Sequence, residues 1–420
     1  LLAWQSCSED KRMAAHADQS RKRRLLVVGD AVASTGFARL TRAILERLCD
    51  RYEVHQLGVN FHGDPHDLPW KVYPAGLGGD IHGVGRLAQL VEWTRPDLVW
   101  MVNDVWVLAD YAQVLDAVSC RAARVAYIPV DSGPVEPTLA RRMQSLDQWV
   151  AFTEFGRGEL LTAAAASADG KALRDVSVVP LGVDQDLFRP GNPADLLDRQ
   201  AAKQALFPSS ELFPESTFVV LNANRNQPRK RIDLTMEAFA IFARDKPAGV
   251  KLYLHMGIED LGWNLPILAS RLGIERRLIV THAGSGPPSE SSERLNLIYN
   301  ACDVGVNTAT GEGWGLVAFE HAATGAPQVV PHHTSLAELW NDAGVFIEPS
   351  YRVTNERTHT DAYFVEPRRV AEALERLYVD EAYRRQMSEA AYRCASHPRL
   401  AWDAIAEQWD ALFHRLLLAH

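Results

Sequence analysis

Thr310-Gly-Glu-Gly-Trp-Gly-Leu-Val-Ala-Phe-Glu320-His-Ala-Ala-Thr-Gly-Ala-Pro327, followed by Gln328-Val-Val330, reads as loop, helix, turn and strand. Seven residues separate the carboxylates of Glu312 and Glu320. Two glycines and Trp314 lie between them, and the run Leu316-Val-Ala-Phe319 begins a buried helix. A helix starting near Gly313 would turn free backbone N–H groups and its positive dipole end toward an anion beside Glu312. Eight residues of helix rise about 12 Å, whereas the carboxylates of a retaining glycosidase stand about 5 Å apart. The two acids are therefore expected to touch different parts of one extended ligand. Either acid alone would pass for an ordinary surface or helix glutamate. With Gly-Trp-Gly beside them, a site is the better reading.

The unit repeats outward along the chain. Leu25-Leu-Val-Val28 is a buried-strand run, followed by Gly29-Asp-Ala-Val-Ala-Ser-Thr-Gly36 and a helical pattern over Phe37–Cys49. Val54–Val59, Leu98–Val102, Arg124–Val130, Trp149–Phe152 and Val176–Val179 are further strands, with helical patterns between. Pro190-Gly-Asn-Pro193 marks a linker, after which the pattern restarts. Phe218–Leu221, Val250–His255, Leu278–Val280, Val304–Val306, Gln328–Val330 and Val345–Ile347 read as strands. Helical patterns cover Ile232–Arg244, Pro266–Leu272, Arg369–Tyr378, Glu381–Ala395 and Trp402–Leu418. Strands alternating with helices predict parallel sheets, and hence an α/β chain of two Rossmann-like, doubly wound domains. Ligands of such domains bind at the strands' carboxyl ends, so an interdomain cleft is the expected site. The expected boundaries are a loose tail over 1–20, a first domain over 21–192 and a second over 193–398. The final helix, 399–420, is expected to pack back on the first domain.

Composition narrows the class. At 420 residues two domains are the prior, and 47% hydrophobic with 23% charged residues is ordinary for a globular protein. A net charge of -9 argues against general nucleic-acid binding, which needs a basic face. Cys7, Cys49, Cys120, Cys302 and Cys394 are dispersed and odd in number. They read as reduced thiols of a cytoplasmic protein, not as a disulfide framework or zinc site. No apolar run is long enough to span a membrane. Arg21-Lys-Arg-Arg24 reads as solvated charge before a strand, with peripheral contact to the inner face of an anionic membrane as the alternative. His62-Gly-Asp-Pro-His-Asp67 has metal-like content, but its Gly and Pro break any helical ligand pair. A loop over the acceptor cleft is the better reading, and no metal site is expected.

Three motifs in a fixed order carry a resemblance. Val179-Pro-Leu-Gly-Val-Asp-Gln-Asp-Leu-Phe-Arg-Pro190 closes the first half, and Arg225-Asn-Gln-Pro-Arg-Lys230-Arg-Ile-Asp follows the strand Phe218–Leu221. Leu297-Ile-Tyr-Asn-Ala-Cys-Asp303-Val then leads into the Glu312/Glu320 element. Thr153-Glu-Phe-Gly156 and Leu400-Ala-Trp402 also fit. Together they resemble the GT-B glycosyltransferases, specifically the large retaining family called family 4, over nearly the whole chain. The resemblance implies transfer of a sugar, a hexose above all, from a nucleoside-diphosphate sugar to an acceptor hydroxyl, with no further cofactor. The acceptor, whether glycan, lipid-linked or small molecule, is not named by the sequence, nor are the sugar and the base.

Chemistry accounts for these residue types. Negative charge grows on the departing diphosphate, and fixed cations aimed there stabilise the transition state more than the ground state. Arg225 suits this as a planar fork and Lys230 as a point charge. Arg229 and Arg231 are read as their solvated companions. No Asp-x-Asp ends a strand, so the cationic pair is expected to stand where a metal otherwise would. By resemblance, Glu312 with Gly313, Trp314, Gly315, Leu316 and Val317 holds the sugar hydroxyls and phosphate, and Glu320 accepts from the ribose. Gly36 either brings the first domain's backbone to the diphosphate or is a plain turn glycine. Many relatives carry His where this chain has Asp131, which either takes over a sugar or acceptor contact or caps an Asx turn. Asn103-Asp104 either lines the acceptor side or caps a helix. His255 is a strand-end residue near the base pocket, and no role is assigned to His332-His333.

Other classes fit less well. An epimerase of the same fold would keep the same donor residues. A phosphorylase would need a pyridoxal-phosphate lysine pocket, which no segment suggests. A non-catalytic nucleotide-sugar binder would not need to keep Arg225, Lys230, Glu312 and Glu320 together. A dehydrogenase is disfavoured because Gly29–Gly36 is not G-x-G-x-x-G.

Overall fold

Leu25-Leu-Val-Val28 is apolar at every position because it forms a strand with neighbours on both edges and cover on both faces. The computed structural model describes residues 21–33, 35–167, 175–207, 217–285 and 288–420. The expected tail over 1–20 lies outside them. In the first sheet β1 (Arg23–Asp30), β2 (Tyr52–Val59), β3 (Lys71–Pro74), β4 (Leu98–Val102), β5 (Ala123–Ile128), β6 (Gln148–Ala151) and β7 (Val176–Val178) run parallel. Their order is β3-β2-β1-β4-β5-β6-β7. Leu25 sits beside Val54 on one edge and Leu98 on the other.

The second sheet repeats the plan with β8 (Phe218–Asn222), β9 (Val250–Glu259), β10 (Leu278–Ser285), β11 (Val304–Val306), β12 (Gln328–Pro331) and β13 (Val345–Ile347). Its order is β10-β9-β8-β11-β12-β13, again parallel. The two sheets make an α/β fold of two Rossmann-like domains. A short antiparallel hairpin, β14 (Tyr351–Thr354) and β15 (Asp361–Phe364), hangs from the second domain. No helix among the described residues is long and apolar enough to cross a membrane.

The last helix, Trp402–Ala419, lies on the first sheet. Trp409 is fully buried, with its ring 4.8 Å from Trp100 and 4.7 Å from Tyr127. Tyr52 donates to Asp410 at 2.7 Å, and Arg51 pairs with the same carboxylate at 2.6 Å. Trp409→Ala removes the centre of this aromatic cluster. It is expected to cost about 3–5 kcal/mol, read as a shift in urea unfolding midpoint at unchanged slope. The chain thus passes from the first domain to the second and back, and the two crossings are joined. Val183 N–H donates to Leu400 O at 2.7 Å in a parallel bridge with Ala401, and Gln185 Nε2 donates to His397 O at 3.0 Å.

Two expectations need correction, and three strands went unread. The helix expected from Gly313 begins at Leu316, because Gly315 takes a left-handed φ of 87° that stops any earlier helical turn. Glu312 is therefore a loop residue, and the helix-rise estimate does not set its distance from Glu320. The loop carrying His62 to Asp67 joins β2 to β3 and is drawn to the first domain's own surface, where Arg42 pairs with Asp67 at 3.2 Å. Its neighbour Asn60, not those residues, reaches the cleft. β3, ended by Pro74, and the four-residue strands β14 and β15 were hidden by short or Pro-bounded sequences.

Candidate active site

Each sheet reverses its order once, between β1 and β4 and between β8 and β11. The strand ends at these two points face each other across an interdomain cleft of about 620 Å³. All residues singled out from the sequence as catalytic or donor-binding line this cleft except Glu320.

The loop after β8 is stitched to the loop after β11. Thr310 N–H donates to Arg229 O at 2.9 Å and Thr308 Oγ1 to Arg231 O at 2.8 Å. Pro228–Lys230 forms a single 3₁₀ turn, so consecutive side chains reach one carboxylate. Lys230 Nζ donates to Glu312 Oε1, which also accepts from Asn307 Nδ2 at 3.2 Å. Arg229 Nη1 lies 3.3 Å from Glu312 Oε2 and donates to Gly311 O at 2.5 Å. Its Nη2 crosses to the first domain and pairs with Asp131 at 3.1 Å. Arg229 is thus no solvated companion: the sequence reading missed it, although the adjacency Arg229-Lys230 after Pro228 was the available signal.

Burial alone would raise the pKa of Glu312. The charges of Lys230 and Arg229 outweigh it and hold the carboxyl at about 2. Lys230 is pushed below the usual lysine range by burial and by Arg229, against the pull of Glu312 and Asp131. Arg225 lines the cleft edge, but its guanidinium is forked on Asp260 at 2.6 and 3.1 Å. It does not join Lys230 at Glu312.

Glu320 lies behind the wall, 4% exposed. One oxygen accepts from Tyr299 Oη at 3.2 Å, and the other holds Arg39 of the first domain's helix Gly36–Leu48. Burial, opposed by Arg39 and Tyr299, leaves its carboxyl above the ordinary range. Gly36 opens that helix and faces Leu316; a Cβ on Gly36 would stand 3.7 Å from the leucine side chain. Gly313 faces Asp131 so closely that a Cβ would lie 3.0 Å from Oδ1. Trp314 is buried with its ring stacked 5.0 Å from Phe319, which anchors the turn over the helix that carries Glu320.

The first-domain wall is built from strand ends. Asp30 ends β1, and burial raises its pKa while Thr35 and Asn60 hydrogen-bond its carboxylate. Asp104 precedes the helix Val105–Ala117 but makes no side-chain cap bond to it. It opens to the cleft, where enclosure, then Asp131, raise its carboxyl to about 6. Asn103 also lines the cleft and accepts from Asp104 N–H at 2.9 Å. On the second-domain side His255 lines the cleft, bonded to Thr281 at 2.9 Å and lowered to about 4 by burial and Arg39. His333 is turned away, its Nε2 donating to Ala309 O at 3.1 Å in a buried contact and its ring stacked on Tyr363. Among the described residues no three His, Cys, Asp or Glu side chains cluster to hold a metal ion. Arg39, Tyr299 and Asn307 were not singled out from the sequence; Arg39 in particular meets its partner Glu320 only across the two domains.

Residues 203–394 match the family model described as glycosyl transferases group 1. Over 400 residues, 90% of the chain, it is 26% identical to a D-inositol 3-phosphate glycosyltransferase of Corynebacterium aurimucosum, covering 85% of that protein. Same-named proteins of a Mycobacterium species and Nocardia farcinica are 30% identical, but the chain spans only about half their length, 49% and 56%. Among solved structures it is similar to sucrose-phosphate synthase from Thermosynechococcus elongatus, with a TM-score of 0.70 at 16% identity, over 95% of this chain and 100% of that one. The Anabaena Alr3699/HepE structure, in complex with UDP and glucose, gives 0.67 at 18% identity, over 94% and 100%. The two facing domains, the order of the motifs and these matches agree: the chain is a glycosyltransferase of GT-B fold, with residues 203–394 similar to glycosyl transferases group 1.

Proposed function

We propose that the chain is a retaining, metal-independent glycosyltransferase of the family 4 type that takes its sugar, a hexose, from a nucleoside-diphosphate donor. The observation that carries this is the Lys230–Glu312–Arg229 cluster at the mouth of the Gly313–Val317 turn. The named relatives transfer sugars, and one similar structure holds UDP and glucose. In the proposed reaction the anomeric C–O bond to the diphosphate breaks and the acceptor oxygen bonds to that carbon. Lys230 and Arg229, with Arg225 once freed from Asp260, take the charge that gathers on the leaving phosphates. Ionised Glu312 stands beside the ring as it turns cationic. For retention the acceptor hydroxyl enters on the face that the diphosphate leaves, and its proton passes to the departing phosphate oxygen, while Asp104 and Asp131 on the facing wall hold the acceptor.

A thermal-shift panel of UDP-, GDP-, ADP- and dTDP-sugars tests the donor class. A ligand at a hundred times its Kd adds about 2.7 kcal/mol to the native state, a readable rise in Tm. No shift with any donor would sink the reading. Turnover with the donor so found is expected to survive EDTA, because fixed cations supply what a metal would supply as a Lewis acid. Loss of activity in EDTA with rescue by manganese would end the metal-independent part alone.

A further inference from the structure

The cleft's two walls carry opposite charge. On the second-domain side stand Arg225, Arg229 and Lys230. The first-domain side presents Asp30, Asp104 and Asp131, and among its described lining residues the arginine, Arg39, is committed to Glu320. Asp104 has no hydrogen-bond partner for its carboxylate among the described residues, although it opens to the cleft. His82 lines the same wall. Beside it, Trp106 is 49% exposed, its ring edge-on to His82 with centroids 5.1 Å apart. A tryptophan left half in water beside a cleft-lining residue is a costly choice for packing alone.

These observations share one chemical complement. A sugar ring has hydroxyl donors for a free carboxylate and for an imidazole nitrogen, and a C–H face for an indole. A phosphate monoester brought to the same wall would meet the open carboxylate of Asp104, while the nearby cations are already committed, Arg229 to Asp131 and Glu312 and Arg39 to Glu320, and like charges at close range repel. The relatives named above carry phosphorylated compounds in their names, D-inositol 3-phosphate and sucrose phosphate. We infer that this chain's acceptor is an unphosphorylated sugar, held through hydroxyls by Asp104 and His82 and stacked on Trp106. The inference rests on the glycosyltransfer reading and deepens it.

The test uses the full chain with the donor identified by thermal shift, following release of nucleoside diphosphate. Paired acceptors are offered with and without phosphate: glucose and glucose 6-phosphate, myo-inositol and its 3-phosphate, and free glucosamine, maltose and cellobiose. At least one unphosphorylated sugar is expected to accelerate release, with kcat/KM about tenfold or more above any phosphate ester. Trp106→Ala should raise the KM for that sugar about tenfold while donor Kd stays within about twofold, and Trp106→Phe should recover most of the loss. Since Trp106 is half exposed, its truncation leaves the core intact. Preference for the phosphate esters, no acceleration by any unphosphorylated sugar, or an unmoved KM in Trp106→Ala would each overturn the inference. In all three cases donor binding in the wild type still stands apart as the measure of the underlying reading.

Discussion

Lys230→Ala is expected to lower kcat by at least about 10²-fold, the loss seen when one fixed donor to a developing anion is removed. Two effects must be separated. Lys230 is also the closest cationic partner of Glu312, which is 3% exposed. Breaking a buried pair from one side costs about 3–5 kcal/mol of stability, softened here because Arg229 and Asn307 remain. The double variant Lys230→Ala/Glu312→Gln removes the orphaned charge and should regain most of the unfolding midpoint. It should not regain turnover. Recovery of kcat along with stability would show that the lysine only supports the loop.

Glu312 and Glu320 are expected to fail in different measurements. Glu312→Ala should lower kcat by about 10²-fold, since its charge faces the ring only as that ring becomes cationic. Free nucleoside diphosphate should bind it nearly as well as the wild type. Glu320→Ala should weaken that binding by about tenfold to a hundredfold, the worth of a hydrogen bond to a charged acceptor. Arg39 adds a sign that no loss-of-contact argument gives. Because Arg39 and Tyr299 occupy both oxygens of Glu320 in the ligand-free protein, a ribose must displace the arginine. Arg39→Ala should therefore tighten nucleotide binding, and the gain should vanish in an Arg39→Ala/Glu320→Ala background. Calorimetry with the identified nucleoside diphosphate measures both. Reversed roles for the two glutamates, or weaker binding in Arg39→Ala, would show the placement to be wrong.

The sequence announces what local patterns encode. Leu25–Val28 and Val304–Val306 are apolar at each position because their strands are covered on both faces. The alternation of such runs with helical patterns is enough for two doubly wound domains. What fails is where the local pattern is weak or misleading. β3 is a short strand closed by proline, and the hairpin pairs an exposed β14 with a half-buried β15 of four residues each. At the site, Glu312, Lys230 and the glycine turn are legible because they lie in compact motifs. Arg39 and Tyr299 are not, since Arg39 meets Glu320 across 281 positions and only the docking of domains joins them. Arg225 shows the reverse case: its spacing from Lys230 invited a pair, but Asp260 at the end of β9 is nearer to its fork.

The paired crossings near Val183 and Ala401 bear on how substrates influence each other. Two separate tethers would let one domain twist and slide against the other. Two crossings joined by a bridge and hydrogen bonds leave chiefly one coordinate, the angle between the domains. In the proposed reaction donor contacts lie on one side of that angle and acceptor contacts on the other, so both ligands would read the same variable. A ligand that favours the shut angle lowers the work left for its partner, and linkage makes the benefit equal in both directions. Donor analogue and acceptor should therefore each sharpen the other's affinity by one common factor, even though no atom need pass between them.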